Sequence, residues 1–261
     1  DNTMCELYGI TGDSPVRAND MLKEFYTHSH KHPHGWGLRY FNKNGTAFMC
    51  KEAVSAHNSL ALPELLDHEI EAPVLIAHIR FATVGSIAGS NSHPFTSWDN
   101  SGREWTLAHN GNIYSGMELL PYLDTQSGET DSERVLLYLT DAMNKAIKDA
   151  GHPLDAVQRA VLLDEKIAAI AKRNKLNLII YDGETYYIHT NIIDTLYSAK
   201  KSNHICFSTH PLSQKDYHWE KVPMARLFAY KGRRLIYSGK SHGHVFKPAK
   251  LPEYDQGSFV I

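Results

Sequence analysis

The chain has 261 residues, with 27 Lys and Arg against 29 Asp and Glu, so its formal net charge is −2. This balance argues against a nucleic-acid surface, which needs a basic excess or a basic run. Hydrophobic residues make up 42% and charged residues 21%, which is typical of a globular protein. The longest apolar stretches are far below the roughly 18 residues that a membrane helix needs. Neither nucleic acid nor a membrane is therefore an expected partner.

The predicted strands are short, rich in Ile, Val, Tyr and Phe, and bounded by turn residues. In chain order they cover residues 6–11, 36–41, 46–51, 74–82, 105–109, 176–181, 186–189, 204–209, 225–230 and 234–237. Helical spacing of apolar residues predicts helices over 19–26, 62–69, 132–150 and 154–173. Thr130 to Glu133 has the spacing of a capping box before the third helix, and Gly151 is placed to end it.

The order of these elements predicts the fold class. Many strands, helices gathered in mid-chain and no βαβ alternation predict a single α+β domain with packed sheets. We expect this domain to span residues 4–246. Residues 1–3 are interpreted as remnants of cloning or an unprocessed extension, and residues 247–261 as a C-terminal tail.

Cysteine usage bears on the cellular location. Cys5, Cys50 and Cys206 are an odd, widely spaced set without a Cys-x-x-Cys pair, so no disulfide framework or zinc site is predicted. The N-terminus has no basic segment followed by an apolar core, so it does not look like a signal peptide. These features indicate a reducing, cytoplasmic location. Cys50 and Cys206 have apolar, strand-like neighbours and are expected to be inert core thiols.

Cys5 directly follows Met4 at the start of the first predicted strand. If Met4 is the biological start and is removed, Cys5 carries a thiol and a free α-amino group on one residue. An α-amino group titrates near ~7.7–8.0, so it can act as the general base for the thiol. The pattern is the N-terminal-amine variant of nucleophilic catalysis, although any protein can have Cys in second place.

Three later segments carry residues suited to the same chemistry. Strand alternation puts His78 and Arg80 on one face, where an arginine needs an anionic partner. Asn110 and Gly111 combine an amide with a backbone N–H, a pair suited to holding an oxyanion. Asp131 stands at the start of the third predicted helix, where an acidic residue is also favoured by the helix dipole.

Together these segments resemble the class II glutamine amidotransferases, a family of N-terminal-nucleophile hydrolases, and most closely their stand-alone YafJ-type branch. The matching motifs extend from Met4 to about Phe246. They are Met4-Cys5-Glu6-Leu7, Gly35-Trp36-Gly37, Ala77-His78-Ile79-Arg80, Ser92-His93-Pro94-Phe95, Ala108-His109-Asn110-Gly111, Gly128-Glu129-Thr130-Asp131-Ser132-Glu133 and Ser208-Thr209-His210-Pro211-Leu212.

The resemblance implies a four-layer αββα sandwich of two antiparallel sheets, with no metal and no cofactor. It implies Cys5 as the nucleophile that forms a γ-glutamyl thioester, with Asn110 and Gly111 holding the oxyanion. It further implies substrate-binding residues: Arg80 for the α-carboxylate, Asp131 for the α-ammonium, Thr83 as part of the same pocket and Trp36 as a pocket wall only.

The sequence departs from the family pattern at three places. Asp1-Asn2-Thr3 precede Met4 and would keep the needed amine in a peptide bond. Val84 stands where hexosamine-forming relatives carry histidine, and His34 stands where several relatives carry aspartate. The run from His28 to His34 has the alternation of a metal site, but Lys31 and Pro33 favour a solvated loop near the mouth of the site.

The expected function is a glutaminase-type amidohydrolase that cleaves the γ-amide of glutamine or a γ-glutamyl compound and releases glutamate with ammonia or an amine. Either a separate synthase subunit accepts the ammonia, or the substrate is a γ-glutamyl small molecule and no transfer occurs; a homodimer is also allowed. A Cys-type acylase of the penicillin or bile-salt kind is the alternative enzyme. A non-catalytic glutamine-binding module is the alternative outside catalysis.

Overall fold

The computed structural model describes residues 5–247 and contains two antiparallel sheets flanked by helices. Its strands are β1 Glu6–Arg17, β2 Trp36–Phe41, β3 Ala47–Glu52, β4 Glu71–Ile79, β5 Phe95–Trp98, β6 Glu104–Asn110, β7 Asn177–Tyr181, β8 Tyr186–Thr190, β9 Tyr197–Lys200, β10 His204–Ser208, β11 Trp219–Lys221, β12 Arg226–Lys231 and β13 Arg234–Ser238. Its α-helices are α1 Asn19–Thr27, α2 Ala61–Asp67, α3 Asp131–Ala150 and α4 Ala156–Ala171.

The first sheet has the order β11-β9-β10-β1-β4-β2-β3, and the second has the order β13-β12-β8-β7-β6-β5. β1 lies in the middle of the first sheet, where Tyr8 pairs with Ser208 of β10 and with Ala77 of β4. β6, which ends at Asn110, lies in the second sheet beside β7. The N-terminal end of β1 and the C-terminal ends of β4 and β6 are the parts of this frame that carry the predicted site residues.

Three buried clusters fill the spaces between the layers. One cluster joins the first sheet to α1 and α2, and it includes Tyr8 and Leu22. The second joins the second sheet to α3 and α4, and the third, with Leu7 and Ile179, lies between the two sheets. The expected αββα sandwich is therefore confirmed.

The helix ends differ in detail from the prediction. Thr130 caps α3 by accepting a hydrogen bond from the Glu133 N–H at 3.2 Å. The Glu133 carboxylate instead accepts from the Ser127 and Gly128 N–H groups, so the predicted capping box is only half formed. A complete capping box lies at the start of α4, between Asp155 and Gln158, and α4 is shorter than predicted.

Three short strands, β5, β9 and β11, were not predicted from the sequence; each is only three or four residues long. Such segments carry too few residues for alternation to be visible. No helix in residues 5–247 is long and apolar enough to cross a membrane.

Candidate active site

Cys5 lies just before β1 and points to the same side of the sheet as Leu7, toward the second sheet. Its Sγ lies against the backbone of Phe81, accepting from the N–H at 3.3 Å and donating to the carbonyl oxygen at 3.4 Å. Burial of the thiol raises the pKa of Cys5 to about 11; the Phe81 N–H and the Arg80 charge oppose this, and the Asp131 charge adds to it. Arg80 and Asp131 therefore both lie within electrostatic reach of the sulfur.

Arg80 follows β4 directly and is only 2% exposed. Its guanidinium donates to the carbonyl oxygens of Ser86 at 2.9 Å and Val84 at 3.1 Å. No carboxylate of residues 5–247 lies within ion-pair distance of this side chain. Burial lowers the pKa of Arg80, as it does for any cation withdrawn from water. The site thus holds a buried cation whose hydrogen-bond partners are neutral, and the Glu129 carboxylate acts on it only from beyond ion-pair distance.

Asp131 is the first residue of α3 and is 6% exposed. One carboxylate oxygen accepts from the Ile113 N–H at 2.8 Å, and the other accepts from the Ser132 hydroxyl at 3.4 Å. No cation of residues 5–247 pairs with it. The helix N-terminus stabilises its negative charge, so the site also holds a buried carboxylate without a cationic partner.

Asn110 ends β6 and is fully buried, yet neither its Nδ2 nor its Oδ1 has a hydrogen-bond partner in the described residues. Buried amides are nearly always paired, so an unpaired one indicates a group that a ligand or water will satisfy. Gly111 follows it with no room for a side chain, because a Cβ there would overlap the carbonyl oxygen of Lys175. Position 111 therefore accepts only glycine.

A chain of hydrogen bonds joins the segments that carry these groups. Cys5 contacts Phe81, and two residues later the Thr83 hydroxyl accepts from Asn112 Nδ2 at 2.6 Å. The next residue, Ile113, donates to Asp131. The loops that follow β4 and β6 and the start of α3 therefore meet at the residue before β1.

Trp36 lies outside this assembly, which corrects the expectation that it forms a pocket wall. It is fully buried in the cluster between the first sheet and α1 and α2, and it stacks edge-on against Tyr26. Its indole N–H donates to Glu52 at 2.8 Å. Strand alternation puts it on the opposite face of the sheet from Cys5, so it belongs to the helix-side core.

The run from His28 to His34 only partly matches the expected solvated loop near the mouth of the site, since His30 and Lys31 are exposed beside the cleft at Cys5. Residues His28–Lys31 form a 3₁₀-helix, and His32 is 6% exposed. Glu6, itself buried, accepts from His28 Nδ1 at 2.6 Å and from His32 Nε2 at 3.1 Å. Burial raises the pKa of Glu6, but the hydrogen bonds from these histidines outweigh it and lower the pKa to about 2.

Sequence reasoning missed Glu6, although a signal was present. Alternation places Glu6 on the same face as Tyr8, so a charged residue occupies a core position of β1 and needs a partner. His34 accepts from the Ala82 N–H through Nδ1 at 2.8 Å. Within residues 5–247 no three His, Cys, Asp or Glu side chains are grouped so as to hold a metal ion.

The two other cysteines lie away from these groups. Cys206 is fully buried on the helix-facing side of β10, with its sulfur 3.5 Å from the Tyr8 hydroxyl. Cys50 is partly exposed on β3. Burial raises the pKa of both thiols.

Comparison with known proteins identifies the family. The family model for the class II glutamine amidotransferases matches residues 4–219. This chain belongs to the class II glutamine amidotransferases. It is 30% identical over 203 residues to the Escherichia coli protein named "Putative glutamine amidotransferase YafJ", covering 72% of this chain and 74% of that one. It is 27% identical over 267 residues to an uncharacterized protein of Methanocaldococcus jannaschii, covering 91% and 72% of the two chains.

Solved structures share the fold of this amidotransferase. The glutamine phosphoribosylpyrophosphate amidotransferase of Bacillus subtilis superposes with a TM-score of 0.67 at 16% identity, covering 90% of this chain and 49% of that one. The present chain therefore spans about half the length of that enzyme. The structure of a predicted glutamine amidotransferase from Pseudomonas aeruginosa superposes with a TM-score of 0.57 at 17% identity, covering 89% of this chain and 100% of that one.

Proposed function

We propose that the protein is an amidohydrolase that cleaves the γ-amide of glutamine or of a γ-glutamyl compound. The observation that carries this proposal is the pair of buried, oppositely charged side chains beside Cys5. Within residues 5–247, neither Arg80 nor Asp131 has an oppositely charged side chain within ion-pair distance. A buried charge without a counter-charge is costly, and the α-carboxylate and α-ammonium of a glutamyl group would supply both missing partners.

The reaction follows from these positions. The Cys5 sulfur attacks the γ-carbonyl carbon, and the oxyanion that forms is held by the Asn110 amide and the Gly111 N–H. The bond to nitrogen then breaks, and ammonia or an amine leaves with a proton. Water cleaves the thioester and releases glutamate. A separate synthase subunit that receives the ammonia is compatible with this scheme.

The base in this scheme is the α-amino group of Cys5, which is free only when Cys5 is the first residue. Because burial raises the pKa of the thiol to about 11, the thiol is almost wholly protonated near neutral pH. A thiol in this state needs a base close by. An acylase with an apolar acyl substrate is less well supported, since such a substrate would leave both buried charges unpaired.

The test is labelling by a diazoketone analogue of glutamine, followed by peptide mass mapping. We expect one mass equivalent on Cys5 and loss of glutamate release. Cys50 is the matched control, because it is a partly exposed thiol of the same chain. Labelling at Cys50 or Cys206 in place of Cys5 contradicts the proposal. Glutamine binding by protein that begins at Cys5, without turnover or labelling, indicates a non-catalytic binding module.

A further inference from the structure

A cleft of about 1160 Å³ borders Cys5. Its lining includes Cys5, Glu6 and the 3₁₀-helix His28–Lys31, together with the segment from Thr209 to Pro211. Arg80, Asn110 and Asp131 do not line it. Cys5 therefore borders this cleft and also lies within electrostatic reach of Arg80 and Asp131, which are outside the cleft lining. The cleft is much larger than an ammonia molecule.

The carboxylates that line this histidine cleft already have partners. Glu6 is held by His28 and His32, and Asp194 forms an ion pair with Lys221 at 2.7 Å. These pairs neutralise the carboxylates of the cleft. The other polar and charged side chains of the lining therefore decide which ligand charge the cleft attracts.

Those remaining side chains are one lysine and two histidines. Lys31 is exposed in the cleft and forms no ion pair within residues 5–247. His30 lies next to it, and the exposed His210 imidazole is 3.8 Å from Glu6. A concave surface with a lysine outside any ion pair and with neutralised carboxylates attracts anions.

We propose that the histidine cleft binds the leaving group of the substrate, and that this leaving group is an amino acid or peptide whose free carboxylate pairs with Lys31. This inference rests on the proposed function and narrows its substrate to γ-glutamyl amino acids or peptides. The Cys5 sulfur forms its bond to the γ-carbonyl carbon, the carbon–nitrogen bond breaks, and the leaving amine takes up one proton. Water then hydrolyses the thioester to glutamate and the free thiol.

The test compares γ-glutamylglycine with γ-glutamylglycinamide, which have nearly the same size and differ in the terminal negative charge. The protein used has a measured mass that begins at Cys5. We expect kcat/KM for γ-glutamylglycine to exceed that for the amide by about tenfold or more, the usual effect of a hydrogen bond to a charged group. In Lys31→Gln this ratio should fall toward one, and Lys31→Arg should restore most of it.

Lys148→Gln is the matched control, because Lys148 is an exposed lysine on α3 and does not line the cleft. Its substrate ratio should equal that of the unmodified protein. The inference is overturned if the two substrates are hydrolysed equally well by the unmodified protein, or if Lys31→Gln leaves the substrate ratio unchanged. In either case, hydrolysis of both substrates still supports the proposed function. No hydrolysis of glutamine or either γ-glutamyl compound, together with no labelling of Cys5, overturns the proposed function and the inference with it.

Discussion

Whether any residue precedes Cys5 should decide whether the protein releases glutamate from its substrate. With residues 1–4 attached, the Cys5 nitrogen is part of a peptide bond and is not basic near neutral pH. Removing these four residues leaves Cys5 with a free α-amino group. The perturbation therefore changes the proposed base while it keeps every side chain of the site.

The expected difference in rate depends on how little of the Cys5 thiol is ionised and on how much a general base contributes. A pKa of about 11 leaves about one thiol in ten thousand ionised at neutral pH. A positioned general base typically raises the rate by about 10²–10⁴-fold. We therefore expect protein that begins at Cys5 to release glutamate about 10²–10⁴ times faster than protein that keeps the four residues.

The assay measures glutamate release and intact mass on the same two samples, one trimmed by an aminopeptidase and one extended. Cys5→Ala in both lengths is the control, and both variants should be inactive. Thermal unfolding should be similar for the two lengths, because the buried clusters begin at Leu7 and Tyr8. Full activity from an extended chain of verified mass would show that the α-amino group is not the base.

Three further predictions concern groups around the nucleophile. Asn110→Ala should lower kcat by about 10²–10³-fold with little change in KM, because it removes one oxyanion donor. Arg80→Lys should lose nearly as much kcat/KM as Arg80→Ala, because a point charge cannot replace a planar bidentate donor. Glu6→Gln should lower the free energy of unfolding by about 3 kcal/mol between about pH 4.5 and 6.5, since the pKa of Glu6 is lowered to about 2. The Glu6 contribution should fade as pH drops from about 4.5 toward 2, and the His28 contribution should fade above about 6.5, because its pKa is raised by the bond to Glu6.

Each of these has a result that contradicts it. An Asn110→Ala effect confined to KM would mean that Asn110 only binds substrate. Full activity of Arg80→Lys would exclude a bidentate contact with a carboxylate. For Glu6→Gln, the measurement is chemical unfolding of the variant and the unmodified protein at several pH values. A stability difference that stays constant from acid to alkaline pH would show that the pairs with His28 and His32 are not its source.

Local features of the sequence were enough to predict the main elements of the fold. Composition rich in strand-forming residues predicted a strand over residues 74–82 where β4 covers Glu71–Ile79, and helical spacing with Gly151 predicted α3 closely. The ordered motifs pointed to the family and to Cys5, Asn110 and Asp131. These signals are readable because they depend on neighbours a few residues apart along the chain.

Only the tertiary structure could decide which side chains face each other across the layers. Trp36 lies between Gly35 and Gly37 in the sequence, yet the pairing of β2 with β4 places its side chain in the core on the helix side of the sheet. Glu6 finds His28 and His32 because α1 returns the chain over the first sheet. Such contacts depend on the order of the strands in the sheet and on which face each strand turns to the core. Local sequence patterns do not reveal either, because both are fixed only when the strands pair.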